Sequence, residues 1–110
     1  MTITLYRTVS IAEKEDFYNR NEKFATGRNT LEAKQFFKSK DGVDEFIKDA
    51  YARQYNPPYK FILEVSILKN CLDSIPFEEQ ELDRHKAITV HEDYLSAFNK
   101  CITFVKVNDI

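Results

Sequence analysis

Residues 59–68 read YKFILEVSIL, a ten-residue run whose only charges are Lys60 and Glu64. Its aromatic and β-branched content favours extended backbone. A strand this apolar belongs near the middle of a sheet, where both of its faces are covered. Asn56, Pro57 and Pro58 stand directly before it and terminate whatever precedes. The rest of the chain therefore has to be arranged around one strand that cannot sit at a wet edge.

The flanking segments supply the partners. Residues 3–10, ITLYRTVS, read as a first strand. Ser10 then occupies an N-cap position with Glu13 three residues on, a capping-box arrangement that starts a helix over 11–21. Residues 34–39, KQFFKS, form a short strand. Ser39 or Asp41 caps a second helix, in which Val43, Phe46, Ile47, Ala50 and Tyr51 recur at three- and four-residue steps. After the central strand, KNCLDSI is a turn or short helical piece, and FEEQELDRHK (77–86) is an exposed acidic loop. AITV as a short strand, HEDYLSAFNK as a one- to two-turn helix or extended turn, and a final strand CITFVKV complete the order β-α-β-α-β-loop-β-(α)-β. That order predicts one α+β domain over 1–110, without repeats or linkers.

Composition narrows the function classes. With 110 residues the chain suffices for one modest core. Sixteen basic and eighteen acidic residues give a net charge of −2, which argues against a protein that coats duplex nucleic acid. No apolar run approaches the roughly 20 residues of a membrane span. No secretory signal is legible in MTITLYRTVS, so a cytoplasmic location is expected, with delivery into another cell left open. Cys71 and Cys101 are accordingly expected as free, buried, reduced thiols.

The chemistry-bearing residues are few. Arg7 lies inside a strand, so it either reaches solvent along its stem or pairs in a cleft, where its fork suits a phosphate. The stretch TGRNTLEAKQFF (26–37) is a turn into a strand. Asn29 and Thr30 there either cap the local backbone or offer hydrogen bonds to a ligand, with Glu32 and Lys34 beside them. Glu79 and Glu81 have the E-x-E spacing that turns two carboxylates the same way along an extended segment. Such a pair suits a ribose hydroxyl and an oxocarbenium-like centre, or is simply a solvated acidic loop. Cys71, Cys101, His85 and His91 lack metal-knuckle spacing, so no metal is expected. Two glycines cannot spell a P-loop or a dinucleotide fingerprint.

The segments LYRTVSIAEKEDF, GRNTLEAKQFFKSKDGVDEFIKDAY, YKFILEVSIL and ITVHEDYLSAFN, in that order, resemble the small ADP-ribosyltransferase-like domains at the ends of bacterial polymorphic toxins. The most specific piece is Gly27, Asn29, Thr30, Glu32, Lys34 and Phe36. The resemblance implies a compact split, twisted β-core with short flanking helices and a cleft for NAD as substrate. Arg7 would contact NAD phosphates or ribose, and Asn29 and Thr30 the nicotinamide ribose, with Glu32 and Lys34 supporting the pocket. A late glutamate, Glu79, Glu81 or Glu92, would be catalytic; Val90 stands where the family carries a proline. The implied activity is ADP-ribosyl transfer to a macromolecular acceptor or NAD hydrolysis by a toxin or effector, with an antitoxin or immunity protein as partner. The alternatives are a catalytically silent binding module of the same fold, and a small ribonuclease toxin that uses His85 or His91 with a glutamate.

Overall fold

The computed structural model describes residues 1–25, 33–53, 58–82 and 84–110. Among them, six strands form one antiparallel sheet: β1 (Thr2–Val9), β2 (Ala33–Phe37), β3 (Phe61–Leu68), β4 (Glu78–Leu82), β5 (His85–His91) and β6 (Ile102–Asp109). Their spatial order is β4-β5-β2-β1-β3-β6. The apolar run is β3, paired over its whole length with β1 and flanked on its other side by β6, as its composition requires. Four helices accompany the sheet: α1 (Ile11–Asn19), α2 (Lys40–Arg53), α3 (Lys69–Asp73) and α4 (Leu95–Cys101).

Side-chain alternation divides the sheet into two apolar faces. Leu5, Val9, Phe36, Leu63, Val65, Ile67, Ile88 and Val90 face one side, where they meet Phe17 of α1, Leu72 of α3 and Leu95 and Phe98 of α4. Phe36 stacks at 4.8 Å from Phe98 and edge-on at 5.2 Å from Phe24. The neighbouring positions Phe37, Ile62 and Ala87 face the other side, against Val43 and Ile47 of α2. Among the described residues, α2 is the helix that packs on that second face.

The helix starts follow the local chemistry. The Ser10 hydroxyl accepts from the Glu13 amide at 3.1 Å and caps α1. For α2 the capping residue is Ser39, whose hydroxyl accepts from the Gly42 amide at 3.0 Å. Gly42 is there because α2 lies close against β5: a Cβ at this position would sit 3.0 Å from the Cβ of His85.

Two expectations need correction. FEEQELDRHK is not a loop, because residues 78–82 are strand β4, paired with β5 from Glu78↔Thr89 to Leu82↔His85. The turn joining them has no glycine, and Arg84 takes the left-handed conformation instead, with φ 72°. Cys71 and Cys101 are not free thiols either; they form a disulfide with Cα atoms 5.5 Å apart. The cause is topological. β3 and β6 are neighbours with Ile67 opposite Ile102, so α3, which leaves β3, meets α4, which enters β6. Disulfides persist mainly in oxidising compartments, so cysteine usage no longer argues for a reducing one. No helix among the described residues is long and apolar enough to cross a membrane.

The bond joins residues 30 apart in sequence. Replacing both cysteines by serine, or reducing the bond, is expected to lower the unfolding free energy by about 2–4 kcal/mol. Urea denaturation with and without reductant measures this, and an unchanged midpoint would show that the bond contributes nothing.

Candidate functional site

The sheet is not evenly paired. β1 shares eight register pairs with β3, but among the described residues it is in register with β2 at Tyr6↔Phe37 alone. Beyond that pair the two strands part, and the side chain at the fork is Arg7. Its Nη1 donates to the Gln35 carbonyl at 3.1 Å, so a guanidinium sits where ladder bonds would otherwise continue. Nε and Nη2 donate to the two carboxylate oxygens of Glu13 at 2.7 and 3.0 Å, a bidentate pair with α1. The Arg7 guanidinium also lies 5.9 Å from the centre of the Phe36 ring. Only 19% of the Arg7 side chain and 26% of that of Glu13 remain exposed. Of the two fates open to Arg7, the structure shows pairing in a cleft.

The parting opens into a groove of about 380 Å³. Arg7, Ser10, Glu13 and Ala33 line one part of it, and Thr8, Gln35 and Phe37 contribute from the sheet. Phe46 of α2, with Pro58, Tyr59 and Leu82, supplies the remainder. Phe37, Phe46 and Tyr59 form a continuous aromatic series with centroids 5.1 and 5.7 Å apart. The volume falls within the roughly 300–1,000 Å³ of small-molecule sites.

The expected site residues distribute unevenly around this groove. Arg7 lines it. Lys34 is adjacent, with Nζ 4.0 Å from the Glu13 carboxylate. Asn29, Thr30 and Glu32 lie outside the described residues. Glu92 opens the short 3-10 turn after β5, one residue beyond the pair Ala33↔His91, at the end of the sheet where β1 and β2 part. Glu79 and Glu81 line a different hollow of about 270 Å³, with Lys38 and Lys86. Both stand on a true strand, and Gln80 between them lines the same hollow. Glu79 is bound there by Lys38 at 2.7 Å.

The two histidines part company. His85 Nε2 lies 2.6 Å from the Glu45 carboxylate, in a third hollow that also includes Asp49, Arg53 and Arg84. The His91 Nδ1 accepts from the Asp93 amide at 3.2 Å and caps the 3-10 turn. The disulfide removes both thiols from any metal set, and among the described residues no cluster of three His, Cys, Asp or Glu is placed to hold an ion.

Glu13, Gln35 and Tyr59 belong to the groove and carry no motif of their own. Glu13 was legible only as part of a capping box. The Ser10 half of that box is present, while the Glu13 carboxylate turns to Arg7. With the geometry described, the chain was compared with known proteins: no family model, curated protein or solved structure matches it.

The hydrogen bond from Lys38, reinforced by its charge, lowers the Glu79 pKa below the ordinary carboxylate value. A lowered folded-state pKa contributes stability above the unfolded pKa, and that contribution is lost as pH falls through the folded one. In Lys38→Ala, the Glu79 carboxyl titration followed by NMR is expected to move upward toward the ordinary value. A midpoint that stays in place would exclude Lys38 as the cause.

Proposed function

We propose that the protein is an NAD-consuming enzyme, an ADP-ribosyltransferase or NAD glycohydrolase acting as a toxin or effector domain, with the β1–β2 parting as its nucleotide cleft. The observation that carries this reading is the Arg7 guanidinium at the fork of two diverging strands, lining a groove of ligand size. The resemblance in sequence supports it, and Lys34 and Glu92 lie at the same end of the sheet. The ADP-ribosyltransferase-like split core belongs to the same proposal.

In this reading Arg7 holds the pyrophosphate through its fork, and Lys34 adds positive charge from the neighbouring strand. The aromatic series Phe37, Phe46 and Tyr59 offers apolar faces to a base. Nicotinamide leaves through a dissociative, positively charged ribosyl transition state. A carboxylate aimed at that charge stabilises it, and in the transferase it also orients the acceptor. Glu92 takes this role in preference to Glu79 and Glu81, which line a separate hollow. The acceptor is a macromolecule or water. The disulfide suits passage through an oxidising space during delivery. An immunity protein would protect the producing cell.

Two other readings each have an observation in their favour. Arg7 is already engaged by Glu13, as in a non-catalytic binding module of this shape. The His85–Glu45 pair beside Arg84 is an acid–base couple that a small ribonuclease could use.

One experiment separates the three. The protein is incubated with NAD and released nicotinamide is quantified by chromatography, with a parallel incubation on RNA without NAD. Nicotinamide release is expected, falling roughly 100-fold or more in Arg7→Ala and in Glu92→Gln. Glu79→Gln and Glu81→Gln should retain activity. RNA cleavage abolished by His85→Ala would replace this assignment with the nuclease, and inertness in both assays would leave the binding module.

A further inference from the structure

We infer that Glu13 is a built-in competitor for the anion that Arg7 binds, and that it makes the groove selective for multiply charged phosphoryl groups over single carboxylates. This rests on reading the groove as a phosphate site, but it does not require NAD to be turned over. Each of the three guanidinium nitrogens donates one hydrogen bond, which uses three of its five N–H groups. Two hold the Glu13 carboxylate and one holds the Gln35 carbonyl. The third contact fixes the plane of the fork across the parting, so the Nε/Nη2 edge stays aimed at whatever anion replaces the carboxylate.

The carboxylate itself is held in place by its helix. Ser10 anchors the Glu13 amide at 3.1 Å, so the side chain is presented to Arg7 without ordering a loop. A ligand carboxylate carries the same charge and the same two acceptor oxygens as Glu13, and gains nothing from the exchange. A pyrophosphate brings more charge and more acceptor oxygens, so it wins the fork. Lys34, 4.0 Å from the same Glu13 oxygen, adds attraction for the larger anion. The 26% of the Glu13 side chain still exposed gives the displaced carboxylate a route to water.

The test uses inorganic pyrophosphate and acetate as probes, with binding measured by calorimetry. Glu13→Gln keeps the size and the capped amide while removing the competing charge. It is expected to bind pyrophosphate roughly tenfold more tightly than the unmodified protein, the scale set by one charge-assisted pair. Glu13→Gln/Arg7→Gln should lose that gain. Independently of any variant, the Arg7 Nε–H resonance of the unmodified protein should shift on saturation with pyrophosphate and stay put in equal acetate.

An unchanged or weaker affinity in folded Glu13→Gln overturns the inference, as does an Arg7 resonance indifferent to pyrophosphate. If nicotinamide is released while Glu13→Gln gains nothing, the role of Glu13 falls and the NAD reading stands. If the pyrophosphate gain appears through Arg7 without NAD turnover, the NAD reading falls and the competitor role stands.

Discussion

Where two neighbouring strands separate, their backbone groups need other partners, and an unsatisfied buried group is costly. At the β1–β2 fork this protein meets that need with one side chain. Arg7 takes the Gln35 carbonyl on one edge and binds α1 through Glu13 on the other. The sheet can therefore part with the Gln35 carbonyl still satisfied, and α1 is tied to the strand that leads into it. The groove, its charge and the position of its first helix all follow from that contact. Among the described residues, no buried side-chain nitrogen or oxygen lacks a hydrogen-bond partner.

The unequal dressing of the two sheet faces sets the site's location. Three helices seal the face containing Phe36, Leu63 and Ile88, where the largest side chains are fully buried. On the opposite face the described residues place α2 alone, packed on Phe37, Ile62 and Ala87. Space is left beside that helix, and Phe46 and Tyr59 border it. Arg7 belongs by alternation to the sealed face, yet the parting lets it line a groove reached from the open one. A strand residue normally serves one face; at a fork it is available to both.

Much of the framework was legible because it rests on local chemistry. β3 declared itself through its apolar run, and Ser10 and Ser39 marked helix starts that the structure retains. β4 was hidden because Glu78, Glu79 and Glu81 suggest a solvated loop. What makes it a strand is pairing with β5 at an edge of the sheet, where charge is tolerated. The disulfide was hidden because nothing local joins Cys71 to Cys101; only the adjacency of β3 and β6 does. Arg7 was legible as an anomaly in a strand, whereas its partner was concealed behind a helix-capping motif that explained Glu13 without using its carboxylate. Separating Glu92 from Glu79 and Glu81 required the β2–β5 register, which no single segment encodes.

The bond between Cys71 and Cys101 makes a covalent ring of the chain between them, and the whole β4–β5 hairpin lies inside it. That hairpin is held to the rest of the molecule by the ladder from β5 to β2 and by Ala87, Ile88 and Val90, which are buried in the two cores. If those contacts are lost, the closed ring still keeps the two ends of this segment joined to each other. Its re-pairing is then a search within a closed loop, which costs less conformational entropy than the same search in an open chain.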